Sequence, residues 1–91
     1  MASITLGEIF DAFNSKQELK MEEIKKYVLK RHGNSWEGYN DKYSFDQTIQ
    51  KIVESRCPQK KGYSGSLVFT SSRRAYYRLD KTSKEFSDYK R

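Results

Sequence analysis

The sequence predicts an α+β domain, three helices followed by a two- or three-stranded antiparallel ribbon. Three observations predict it. Apolar residues recur at helical spacing in three stretches before Pro58. Two of those stretches open with the Ser/Thr-x-x-Glu/Gln form of a capping box, in which paired side chains satisfy the free amides of a helix start. From Gly62 the apolar period shortens to two, as a strand requires. With 91 residues, 35% of them hydrophobic, and a mean hydropathy of −0.98, the chain can fill one small core. Domains of this size bury only roughly 60% of their unfolded surface, so little apolar material remains to line a deep catalytic cleft. The expected organisation is a single domain over residues 1–80 and a polar tail, loose or weakly helical, over 81–91.

The first helix begins at Thr5-x-x-Glu8 and carries Leu6, Ile9, Phe10 and Phe13 as one apolar stripe, with Asn14-Ser15 ending it. A short extended piece around Leu19–Met21 offers a third strand between the first two helices. The second helix carries Met21, Ile24, Tyr27 and Val28. Glu22 and Glu23 lie early in it and Lys30, Arg31 and His32 late, an order that suits the helix dipole, and Gly33 is a natural stop. Residues 33–42 have loop composition. Trp36, Tyr39 and Tyr43 make this stretch too aromatic for a disordered linker, so they read as a lid on the core or as a contact surface for a partner.

Ser44-x-x-Gln47 opens the third helix, Ser44 to Arg56, whose core stripe is Phe45, Ile49, Ile52 and Val53; Pro58 bars its continuation. Leu67 and Phe69 alternate with Val68 and Thr70, and Ala75, Tyr77 and Leu79 with Tyr76 and Arg78. These are two strands of a hairpin with a polar, basic tip, Ser71-Ser72-Arg73-Arg74. Three helices and a closing ribbon make the winged-helix arrangement, in which the third helix enters the DNA major groove and the ribbon, or wing, lies along the backbone.

The net charge of +6 is unevenly placed. Residues 1–45 hold seven basic and seven acidic side chains, whereas residues 51–79 hold Lys51, Arg56, Lys60, Lys61, Arg73, Arg74 and Arg78 against Glu54 alone. Such asymmetry points to a polyanionic partner met by the second half of the chain. On the third helix, Gln47, Gln50 and Lys51 form a polar stripe flanked by Thr48. Gln can bond bidentately to adenine and Lys can reach guanine acceptors. The plain alternative is the wet side of an amphipathic helix. Ser71, Ser72, Arg73 and Arg74 would hold phosphates, with Lys60 and Lys61 as a second basic patch; the alternative there is charge that keeps an exposed hairpin edge from pairing.

Little supports catalysis. The acidic residues are scattered, Cys57 has no partner at a telling spacing, and His32 reads as a helix cap. Neither a phosphate loop nor a CxxC pair occurs, so no enzyme activity, cofactor or metal is expected. One cysteine, no apolar leader and no run long enough to span a bilayer lead to the expectation of a cytoplasmic protein without membrane contact.

Thr48-Ile49 at the start of the third helix, Ser55-Arg56-Cys57-Pro58 at its end, and Phe69-x-x-x-x-Arg74-Ala75-x-Tyr77-Arg78-Leu79 in the ribbon carry a family likeness. Residues 44–79 resemble a winged-helix domain found in bacterial proteins alongside restriction endonucleases. Arg73 and Ala75 stand where those relatives usually have glycines, and an aromatic insert, Trp36–Tyr43, precedes the third helix. The resemblance implies double-stranded DNA as partner, and a role in a bacterial or phage restriction, modification or nuclease-defence system. Other readings are a winged helix that binds or inhibits a larger nuclease or another protein through Trp36, Tyr39 and Tyr43, and a binder of structured RNA. Because one winged helix reads few base pairs, a homodimer or a fused partner would supply specificity.

Overall fold

A computed structural model describes residues 3–90, except the side chains of Ser72 and Lys90. Its elements run α1 (Leu6–Ala12), β1 (Glu18–Lys20), α2 (Met21–Arg31), α3 (Lys42–Glu54), β2 (Phe69–Arg73), β3 (Tyr76–Leu79) and α4 (Lys84–Lys90). The three strands form one antiparallel sheet in the order β1-β3-β2. The short extended piece expected before α2 is thus a real strand, pairing Leu19 with Tyr77. An α+β chain of four helices and a three-stranded antiparallel sheet, in this order, is compatible with a winged helix.

Local chemistry sets the helix ends. The Thr5–Glu8 capping box forms: the Thr5 hydroxyl accepts from the Glu8 amide and the Glu8 carboxylate from the Thr5 amide at 2.9 Å. Helix α2 ends in a Schellman motif. The Asn34 amide donates to the Leu29 carbonyl at 2.9 Å and the Gly33 amide to that of Lys30 at 3.0 Å, with Gly33 at φ +70. The third helix starts two residues earlier than the sequence predicts. Asp41, not Ser44, is its cap, and the Asp41 carboxylate accepts from the Ser44 amide at 2.8 Å. Ser44 and Gln47 therefore lie inside α3 and form no capping box. At the other end, the Arg56 guanidinium donates to the Ile52 carbonyl at 3.0 Å, satisfying one of the carbonyls a helix leaves open.

One core joins the first three helices and the sheet: Ile9, Phe10 and Phe13 from α1, Met21, Ile24 and Val28 from α2, Phe45, Ile49 and Val53 from α3, and Leu19, Phe69 and Tyr77 from the sheet. Phe69 sits against both Phe10 and Phe13, with ring centroids 6.2 and 5.8 Å away. Each such side chain, taken fully out of water, contributes about 1.5–3 kcal/mol, and these contacts set where the sheet lies on α1. Strand β2 is anchored to the end of α3, because the Val68 and Phe69 amides both donate to the Arg56 carbonyl at 3.0 Å. Val68 and Phe69 are both buried while Leu67 is 44% exposed, so the predicted alternation of Leu67 with Phe69 fails at its first residue.

The tail does not stay loose. Ser83 caps α4, its hydroxyl accepting from the Phe86 amide, and Phe86 and Tyr89 bring their rings to 5.3 and 5.4 Å from Phe10. Tyr89 also donates to the Asp11 carboxylate at 2.6 Å, and Asp11 in turn pairs with Arg31 at 3.1 Å. Among the described residues, no helix is long and apolar enough to cross a membrane.

Candidate nucleic-acid interface

Helix α3 is two-sided. Phe45, Ile49 and Val53 are fully buried, and Tyr43, Gln47 and Lys51 lie on the opposite side at steps of four residues. The polar stripe expected on this helix divides in two. The Gln50 side chain turns toward α2, where its oxygen accepts from Lys25 Nζ at 3.0 Å and its nitrogen donates to Glu54 at 3.1 Å. Thr48 spends its hydroxyl on the Ser44 carbonyl at 2.9 Å. Gln47 and Lys51 make no hydrogen bond or ion pair among the described residues, and Lys51 is exposed. Tyr43, 70% exposed, shares their side.

The aromatic loop splits in the same way. Tyr39 is a lid: its ring meets Phe45 edge-on at 5.3 Å and its hydroxyl accepts from the Ile4 amide. Trp36, 41% exposed, and Tyr43 are not part of that lid. Under the loop, His32 ends α2 and packs edge-on to Phe45, with Nε2 2.8 Å from the Glu8 carboxylate; the approach lacks hydrogen-bond alignment.

The hairpin differs most from expectation. Ser71 and Arg73 belong to β2, and the turn is Arg74-Ala75, with Ala75 at φ +67. Phe69 pairs with Leu79 and Thr70 with Arg78, but Arg73 pairs with Tyr76, so β2 carries one residue too many and bulges at 71–72. The bulge leaves the Ser71 amide off the ladder, and the Gln59 side chain accepts it at 3.0 Å. The Ser71 hydroxyl donates to the Arg73 carbonyl, so it is not presented to a ligand. The side chain of Ser72 lies outside the described residues. On both sides of β3 the last pair involves Tyr76, with Lys20 and with Arg73. The hairpin therefore ends level with β1 and does not project past it. Its turn is also tied inward, because the Met21 amide donates to the Ala75 carbonyl at 2.9 Å.

The cations of residues 51–79 are not equally available. Arg73 bonds Glu18 at 2.8 Å and lies over Tyr76, its guanidinium carbon 3.7 Å from the ring centre, with Lys20 Nζ at 5.5 Å from the same ring. Tyr76 is thereby engaged by two cations of the fold itself. Arg78 bonds Gln17, and Arg56 caps α3. Lys60 leans over Tyr77, 5.4 Å from the ring centre. Lys51, Lys61 and Arg74 are exposed and form no ion pair among the described residues. Cys57 is buried, with its thiol pushed up by desolvation, which keeps the proton on sulfur.

The long-range contacts around α3 and the hairpin were not readable from spacing. Gln50 and Arg73 had the right residue types for recognition, but their partners Lys25 and Glu18 lie 25 and 55 residues away. Tyr43, grouped with the aromatic loop on sequence, lies in the first turn of α3, and its four-residue step to Gln47 was the available signal. In comparisons with known proteins, no family model, no curated protein and no solved structure matches this chain.

Proposed function

We propose that this chain is a winged-helix module that binds double-stranded DNA, with α3 in the major groove and Lys51, Lys61 and Arg74 on phosphates. The observation that carries the reading is the division of α3: one side fully buried, the other presenting Tyr43, Gln47 and Lys51 without internal bonds. A helix about 10–12 Å across fits the major groove. The order of helices and strands and the excess of positive charge after residue 50 agree with it. The hairpin supports the module without running along the backbone, and Arg74 in its turn is the group it offers. A place in a restriction, modification or nuclease-defence system rests on the resemblance of residues 44–79 alone.

A second reading has one observation in its favour. Trp36 and Tyr43 are large, exposed and aromatic, as at protein contacts. A titration separates the two. Anisotropy of a short random-sequence duplex is followed at low and moderate salt, with wild type, the Lys51→Ala/Lys61→Ala/Arg74→Ala variant, and Lys26→Ala/Lys30→Ala as a control on α2. DNA binding predicts salt-sensitive affinity that the first variant loses and the control keeps. Absence of duplex binding at low salt defeats the DNA reading and leaves the protein partner; tighter binding to a structured RNA than to the duplex moves the function to RNA.

A further inference from the structure

We infer that the module selects A·T pairs, with Gln47 bonding adenine and Tyr43 covering a thymine methyl group one or two steps away; this rests on the DNA-binding reading above. The argument is by commitment of atoms. Of the polar side chains along α3, Gln50 has both ends of its amide bonded within the chain, to Lys25 and Glu54, and the Thr48 hydroxyl is bonded to the Ser44 carbonyl. Lys42 and Asp46 pair with each other at 2.9 Å. Apart from the half-buried Ser44 hydroxyl, the side chains that remain without a bond among the described residues are Tyr43, Gln47 and Lys51.

These three residues make a particular code. A free carboxamide bonds bidentately to the N6 and N7 edge of adenine. Lys51 reaches a guanine edge or a phosphate, and so discriminates less. Tyr43, 70% exposed in the first turn of α3, is an apolar surface with a polar tip. In the major groove the apolar group on offer is the thymine methyl. Four residues of helix rise about 6 Å, against about 3.4 Å between base pairs, so Tyr43 and Gln47 address pairs one or two steps apart. Residues near the start of a groove-inserted helix are the ones that meet base edges. Tyr43 and Gln47 occupy that end, and Gln50 and Glu54 do not.

Atomic substitution in the DNA tests this directly. Duplexes are selected from a random library with the full chain, and the enriched site is resynthesised with 7-deazaadenine for adenine, which removes N7, or deoxyuridine for thymidine, which removes the methyl. Wild type is expected to enrich a short core containing A·T pairs. The 7-deazaadenine site should bind it about tenfold more weakly, while Gln47→Ala binds both sites alike. Deoxyuridine should weaken wild type severalfold and leave Tyr43→Ala unaffected. Gln50→Ala should retain both sensitivities. Both lead variants change exposed or half-exposed side chains, and circular dichroism checks that they fold. A G·C core, or variants as sensitive to the altered bases as wild type, overturns the inference. Salt-dependent duplex binding with no enriched site overturns it while leaving the DNA-binding reading intact, and no duplex binding ends both.

Discussion

Ala75 adopts φ +67 in a two-residue turn, a conformation that costs a residue with a Cβ roughly 1–2 kcal/mol. It is held there by the bond from the Met21 amide to its carbonyl and by the pair that Arg73 and Tyr76 make across the turn. Glycine would remove the strain but lose about 0.5–1 kcal/mol to added freedom in the unfolded chain. Ala75→Gly should therefore stabilise the protein by up to about 1 kcal/mol, read as a higher urea midpoint with an unchanged slope. A lower midpoint would show that the strain is already relieved by the neighbouring contacts. Asn34, at φ 59 beside Gly33, occupies the same backbone region with a side chain that tolerates it.

At the scale of elements, α4 shows how a short helix is recruited. Seven residues do not make a stable helix in water; Phe86 and Tyr89 on Phe10, with Tyr89 on Asp11, supply what propensity does not. Gly7 makes room for this. A Cβ added there would meet Tyr89 Cε1 at 2.6 Å. Gly7→Ala should lose stability, or gain less than helix propensity alone would give, in the intact chain. In a Tyr89→Ala background it should gain up to about 1 kcal/mol. Thermal or urea unfolding of the four variants reads the coupling; equal effects in both backgrounds would mean that Tyr89 does not press on α1.

The same helix shows what was legible beforehand. Ser83 followed by aromatics at Phe86 and Tyr89 is a cap and a stripe, yet a pattern this short is indistinguishable from a polar tail until Phe10 is there to receive it. The longer stripes of α1, α2 and α3 and the Thr5–Glu8 box were local signals and formed as expected. The start of α3 was not, because Asp41 and Ser44 are both competent caps and nothing local in the sequence ranks one above the other. The hairpin tip shifted because the β2 bulge depends on Gln59, twelve residues from the amide it receives.

For the molecule as a whole, the net charge overstates what is available for a polyanion. Of the seven cations between residues 51 and 79, Arg56, Arg73 and Arg78 are bonded within the fold and Lys60 leans on Tyr77, leaving Lys51, Lys61 and Arg74. Three released counterions correspond to a slope of about −3 in log affinity against log salt. All seven would give about −6. Equilibrium titrations across a salt series measure this number, and a slope near the larger value would mean that Arg73 leaves Glu18 and Arg78 leaves Gln17 on binding.

The bond between the Ala75 carbonyl and the Met21 amide also decides where the chain can be lengthened. A hairpin tip is ordinarily a permissive place for an inserted tag or loop. Here an extra residue between Arg74 and Ala75 would pull on the first turn of α2. The tolerant place is Gly65-Ser66, an exposed pair with no backbone hydrogen bond among the described residues, in the connection that leads from α3 to β2. A fluorophore or fusion inserted at that point leaves the hairpin clasped to α2.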